Sequence, residues 1–265
     1  MLFFGLPTWL LVLVLAAVMA CATATGLVAG RRLADQPEHR EPFGVLQGAL
    51  IGFMGLVLAF GLSLAVGRYE SRRADVVTEA NAIGTTYLRA QTLAEPARSD
   101  SLALLRTYTD TSISLSGTVP GSAADVRALA RSEQEQRQLW ALAGQALDGA
   151  PEASAPRLYV EALNDMFDAQ SSRVYGLTNR VPTTVLVLEL AGAAIAVAAL
   201  ALHLATFGRG VPTILVVSLL VTVLLVVTFD LDRPARGLIR VPDSALVDVR
   251  TSMIQAPAAA APAGS

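Results

Sequence analysis

Residues 44–73 read GVLQGALIGFMGLVLAFGLSLAVGRYESRR, an apolar run that ends in a cluster of charges. The run from 44 to 66 is long enough to cross a bilayer as a helix, which takes about 20 mostly apolar residues. No proline separates it from Arg68, Arg72 and Arg73, and apolar residues continue at helical spacing to about Leu93. The stretch therefore predicts one helix that crosses the membrane and continues into water.

Three further apolar runs are long enough to span a bilayer, at about 8–30, 183–207 and 211–229. The predicted fold class is all-α: an integral membrane protein with four transmembrane helices and a soluble helical insert between the second and the third. The resulting organisation is a transmembrane hairpin at 1–66, a helical cytoplasmic insert at 67–181, a second transmembrane hairpin at 182–230, a C-terminal segment packing near the membrane at 231–250 and a disordered tail at 251–265.

The arginines predict the orientation of the spans. Four spans place both termini and the insert on one side of the membrane, and the two short loops on the other. Arginines near span ends favour the cytoplasm, and they are more frequent on the insert side. We therefore expect the insert and both termini to be cytoplasmic, although Arg31 and Arg32 favour the opposite orientation of the first span.

The residue inventory argues against several classes of function. The net charge of −2 is too small to indicate a nucleic-acid partner. The chain has only 2 histidines and 1 cysteine, the histidines form no pair at i, i+4 spacing, and there is no calcium-loop pattern and no glycine-rich phosphate loop. The sequence therefore predicts no catalytic residues, no metal and no cofactor, and the lipid bilayer is its first partner.

Three acidic residues lie in or beside the predicted spans, and each has more than one possible role. Glu189 lies among apolar residues in the first third of the third span, where a carboxylate is costly and is a functional hypothesis by default. It could serve a transporter as a proton or cation site, or it could snorkel, lie near the interface, or stay protonated against a neighbouring helix. Asp230 and Asp232 end the fourth span, either as a solvated helix terminus beside Arg233 and Arg236 or as partners of arginines after span two.

Small residues in span two share one helical face: Gly48, Gly52, Gly55, Ala59 and Ser63. Such a row is typical of close packing between transmembrane helices, and taken alone it favours packing. A span with this small face and with bulky Phe53, Leu56, Phe60 and Leu64 can also pack on one side and line a pore on another. Both interpretations remain open at this point.

The stretch from Gly55 to Arg73, with its continuation from Glu79 to Arg89, resembles the signature of the bestrophin-like family of bacterial membrane proteins. The segments 230–234 and 237–240 also resemble the end of that family's sequences, so that the resemblance covers about residues 5 to 250. The family is distantly similar to bestrophins, which are pentameric, chloride-permeable channels with four spans per subunit and a cytosolic helical region.

The resemblance implies roles for individual residues. The second span of bestrophins carries apolar neck residues at four-residue spacing before an Arg-aromatic motif. Counting back from Arg68-Tyr69, Phe60, Leu56 and Gly52 stand at matching offsets, and with Ser63 they are the candidate pore-lining residues. Arg68 and Arg72 are the candidate charges at the pore mouth. Gly52 departs from the bulky pattern, which implies a wider constriction at that level.

The function implied by the resemblance is an ion channel of the bacterial inner membrane that conducts inorganic anions, with span two lining the pore. A subunit of four spans has little room for a pore, so the channel requires a homo-oligomer, a pentamer if the analogy with bestrophins holds. The alternative is a non-conducting membrane scaffold or sensor whose helical insert binds a partner and in which Glu189 is a packing residue.

Overall fold

The computed structural model describes residues 7–33, 40–207, 210–233 and 237–254, with the side chains of residues 40–43 left aside. These residues form helices and no strand, which confirms the all-α fold class. The helices of the described residues are α1 (Thr8–Arg32), α2 (Arg40–Ala90), α3 (Ala97–Ser116), α4 (Ala123–Gly149), α5 (Ser154–Thr178), α6 (Thr183–Ala205), α7 (Val211–Leu231) and α8 (Ser244–Ser252).

Four helical stretches of the described chain are long and apolar enough to cross a membrane: Thr8–Arg32, Gly44–Ala90, Ser154–Ala205 and Val211–Leu231. The apolar part of the third stretch is α6. Helix α2 has 51 residues without interruption, about 76 Å at the rise of an α-helix. The prediction that span two continues past Arg68 as one helix is therefore confirmed, and the helix ends at Ala90 rather than near Leu93.

The chain divides into two compact units. The transmembrane unit comprises Met1–Tyr69 and Arg180–Arg240, and the insert unit comprises Glu70–Asn179 and Val241–Ser265. The segment expected to pack near the membrane at 231–250 is thus divided, because α8 belongs to the insert unit through the buried Leu246. Of the tail at 251–265, only residues up to Ile254 are described, and Met253 is buried.

In the transmembrane unit, α1 packs along α6 through two glycines that lie one helical turn apart. A Cβ on Gly26 would lie 2.8 Å from the Cβ of Ala201, and a Cβ on Gly30 would lie 2.7 Å from the Cβ of Ala205. Both added atoms would also overlap backbone carbonyl groups of α6. The two helices therefore run parallel and approach at backbone contact, as small-xxx-small interfaces do.

Helix α2 runs antiparallel to α6. Gly61 lies against Glu189, Met54 lies against Gly192, and a Cβ on Gly44 would lie 3.1 Å from Cε1 of His203. At the start of α6, the carboxylate of Asp232 accepts a hydrogen bond from the Val181 N–H at 3.1 Å. The start of α1, the part of α2 near Arg68, the start of α6 and the end of α7 consequently lie at one end of this unit.

The insert unit has an apolar core between α2, α3, α4, α5 and α8. Its fully buried members include Ile83, Leu105, Leu139, Leu163 and Leu246, one from each of these helices. Glu79 and Arg173 form a buried ion pair beside this core, and the Ser112 hydroxyl donates to Oε1 of Glu79 at 2.9 Å. Since a buried charge is tolerated only when it is paired and hydrogen-bonded, the pair sets the register of α2 against α5.

Candidate functional site

The transmembrane part of α2 has two faces with different environments. Met54, Leu58 and Ala65 are at most 5% exposed, and Gly61 is buried with them. Residues of an α-helix are about 100° apart, which places Gly52, Leu56, Phe60 and Ser63 on the opposite face. All four are exposed, Leu56 by 55% and Phe60 by 63%. The candidate pore-lining residues therefore share a face that packs against nothing within the described chain.

The small-residue row of α2 makes no helix contact within the described chain. A Cβ on Gly48, Gly52 or Gly55 would meet no atom within 4 Å. The packing interpretation, which the row favours when taken alone, is thus not realised inside one subunit. The close contacts use other glycines, Gly26 and Gly30 of α1 among them. Their G-x-x-x-G spacing is visible in the sequence, and sequence reasoning missed it.

The two candidate pore-mouth arginines differ in their surroundings. Arg72 is 3% exposed, and its guanidinium donates from Nε to the Gly176 carbonyl at 3.2 Å and from Nη2 to the Asn179 carbonyl at 2.9 Å. These carbonyls lie at the C-terminal end of α5, where unpaired acceptors and the helix dipole favour a cation. Arg72, expected at a pore mouth, instead holds the end of α5. Arg68 is half-buried and belongs to the transmembrane unit.

Glu189 is fully buried on α6. Neither carboxyl oxygen has a hydrogen-bond partner among the described residues. The side chain occupies the space left by Gly61 of α2, where an added Cβ would overlap the carboxyl group. Snorkelling is therefore wrong for this structure, because the carboxyl group is buried against the packed face of α2.

Asp230 and Asp232 lie at the end of α7 in the transmembrane unit. Asp230 is 2% exposed and accepts from the Ile239 N–H at 2.9 Å, while Asp232 is 0% exposed and accepts from Val181. Their interpretation as a solvated helix terminus is therefore wrong, because both carboxylates are buried acceptors for backbone donors. Arg236, one expected partner, lies outside the described residues.

In the part of the chain that the structure describes, no group of three or more His, Cys, Asp or Glu side chains is close enough to hold a metal ion. Three chemical features remain. The exposed face of α2 carries apolar and small residues, and Arg68 is half-buried where the transmembrane part of α2 ends. The buried acid Glu189 lies against the packed face of α2. These features define the class: a four-span helical membrane protein whose second span has one packed and one unpacked face.

Comparison with known proteins gives the family. Residues 11–246 match the Bestrophin-like domain, so the chain belongs to the bestrophin-like family. A crystal structure of a bacterial bestrophin homologue from Klebsiella pneumoniae is similar with a TM-score of 0.67 at 14% identity, covering 89% of this chain and 96% of that chain. A point variant of a bacterial bestrophin homologue from the same organism gives 0.65 at 16% identity, with the same coverage of 89% and 96%. These likenesses show the fold. No curated protein matches the chain.

Proposed function

We propose that this protein is the subunit of a homo-oligomeric anion channel in the bacterial inner membrane, with α2 lining the pore. The observation that carries the proposal is the exposed face of α2, which bears Gly52, Leu56, Phe60 and Ser63 and faces away from the rest of its own subunit. Membership of the bestrophin-like family, and a fold shared with bacterial bestrophin homologues, support the same function.

In a ring of subunits, the exposed face of α2 would surround the symmetry axis. Around a symmetry axis, each residue of α2 is repeated once per subunit. Phe60 and Leu56 would form apolar rings that gate by dewetting. Gly52 and Ser63, one on each side of them along the helix, would leave wider levels. The pore would therefore have a short apolar neck rather than a long one.

The selectivity of such a pore would come from charge at its inner mouth. Arg68 follows Phe60 by two helical turns, and rings of basic side chains favour anions. Arg72 does not take part in this proposal, since its guanidinium is bound to the end of α5. The inner mouth is cytoplasmic in the orientation that the arginine distribution favours.

The test is anion flux from liposomes that contain the purified full-length protein. We expect Phe60→Ala and Leu56→Ala to increase flux, because each widens the apolar neck. The matched control is Leu219→Ala on α7, since Leu219 is 65% exposed against 55% for Leu56 and lies outside the proposed pore. Wild-type liposomes without flux, or an equal effect of Leu56→Ala and Leu219→Ala, would contradict the proposal.

The second candidate is a non-conducting scaffold or sensor whose insert binds a partner. An open groove of about 410 Å³ between α4 and α5 favours it. Trp140, 48% exposed, lies in this groove with its ring centroid 6.3 Å from that of Phe167. Half-exposed aromatic residues are common at interfaces. Wild-type flux separates the two candidates, because a scaffold would conduct no ions.

A further inference from the structure

We propose that Glu189 is a proton-binding site inside the transmembrane unit, and that its neutral form allows α6 to pack against the back of α2. The proton site is carried by the geometry of Glu189 and Gly61. Its consequence for conduction rests on the proposed function, because it concerns the helix that would line the pore.

The absence of partners distinguishes Glu189 from other fully buried acids of the chain. Glu79 and Asp232 are each 0% exposed, like Glu189. Glu79 has the Arg173 guanidinium and the Ser112 hydroxyl, and Asp232 has the Val181 N–H. Both oxygens of Glu189 lack a hydrogen-bond partner in the described part of the chain. An ionised carboxylate without donors in apolar surroundings is strongly disfavoured, whereas the neutral acid is tolerated.

The helices packed around Glu189 bring no compensating charge to it. Helix α1 contributes apolar residues here, with Cys21 exposed and Arg31 and Arg32 at its far end. Elsewhere among the described side chains of the transmembrane helices, the titratable groups are Arg68 and Tyr69 on α2, Asp230 at the end of α7, and His203 fourteen residues further along α6 itself. Arg68 lies about 10 Å along α2 from Gly61. None of these groups forms a hydrogen bond with Glu189 in the described structure.

The contact with Gly61 ties the proton to the position of α2. The carboxyl group fills the space that any larger residue at 61 would need. Loss of the proton would require water or a counter-ion beside the carboxylate, and the carboxyl group is 0% exposed where it lies against Gly61. Ionisation therefore favours a shift of α2 away from α6. Since Phe60 directly precedes Gly61 on the same helix and lies on its exposed face, the shift would move the proposed neck.

The first test detects the protonated carboxyl group of Glu189 and does not depend on ion conduction. Dicyclohexylcarbodiimide is apolar and reacts with protonated carboxyl groups, whose O–H adds across a C=N bond to give an O-acylisourea that rearranges to a stable N-acylurea. Mass spectrometry of the labelled full-length protein should find the adduct on Glu189 at neutral pH, with less adduct at alkaline pH. The α6 peptide of Glu189→Gln should carry none. A wild-type α6 peptide that stays unlabelled would overturn the proposal.

The second test reads the coupling to α2. Anion flux from wild-type liposomes should depend on pH, and Glu189→Gln, a mimic of the neutral acid, should lose that dependence and keep the low-pH flux. At every pH, Gly61→Ala should show the anion flux that wild type shows at alkaline pH, because the added Cβ separates α2 from α6. An unchanged pH profile in Glu189→Gln would remove the coupling. If no variant and no wild type conducts, the proposed function fails, and the labelling still decides the proton site.

Discussion

Burial opposes the ionised form of Glu135, a carboxylic acid on α4 of the insert unit. The side chain is 5% exposed, its Oε1 accepts from the Thr111 hydroxyl at 2.9 Å, and its Oε2 has no partner in the described structure. Burial raises the pKa of this carboxyl above its usual 4.5, against the hydrogen bond from Thr111 and the charge of Arg131. An acid whose pKa is raised by folding contributes stability that is complete below its unfolded pKa and is lost as the pH rises through its folded pKa.

We therefore predict that Glu135→Gln unfolds at a higher temperature than wild type at pH 7, and that the difference disappears once the pH falls below about 4.5, where the acid is neutral in both states. The amide keeps an acceptor for Thr111. Thermal unfolding of the full-length protein in detergent checks this. Glu133→Gln, on the same helix with a side chain 70% exposed, should unfold like wild type at both pH values. Equal shifts in the two variants would argue against burial as the cause.

At the scale of the element, the contact between α1 and α6 depends on the missing Cβ atoms of Gly26 and Gly30. We predict that Gly26→Ala destabilises the protein by about 1–3 kcal/mol, the usual cost of an overpacked interface. Gly144→Ala on α4 is the matched control, because an added Cβ there meets nothing within 4 Å. It should stabilise by up to about 1 kcal/mol, because alanine favours the helix over glycine. In chemical unfolding, Gly26→Ala should lower the free energy of unfolding and Gly144→Ala should raise it. Changes of the same sign in both variants would contradict the close contact between α1 and α6.

At the scale of the whole molecule, the unpacked face of α2 predicts a symmetric homo-oligomer with α2 nearest the axis, a pentamer if the analogy with bestrophins holds. In a Cys21→Ser background, we expect oxidation to cross-link Ser63→Cys between subunits. The same treatment should leave Thr213→Cys, at an exposed position near the start of α7, uncross-linked. Mass measurement in detergent gives the subunit number. A monomer, or cross-links at position 213 alone, would show that α2 does not face other subunits.

The parts of this fold that depend on local composition are predictable from the sequence. Four apolar runs predict four spans, and the unbroken passage from residue 66 into Arg68 predicts that span two continues as a long helix, because hydrophobicity and the absence of proline act along the chain. The helices of the insert follow for the same reason, with ends that shift by a few residues. Family membership is also readable, since the residues from Gly55 to Arg73 carry it.

The environment of individual residues is less predictable. Arg72 and Arg68 are one helical turn apart and look equivalent in the sequence, yet Arg72 is buried at the end of α5. Asp232 looks like a solvated terminus and is a buried acceptor for Val181. Each outcome depends on a partner more than 50 positions away in the chain, and no local pattern contains that information.

By itself the sequence determined the number of spans, the continuation of α2 and the family. Only the tertiary structure decided which face of α2 is packed, and that Gly61 receives Glu189. The physical reason is that a transmembrane helix is apolar on every side, because lipid and protein neighbours are equally apolar, so its periodicity does not separate one face from the other. The distinction comes from steric fit at a few glycines, and it exists only once the helices are together.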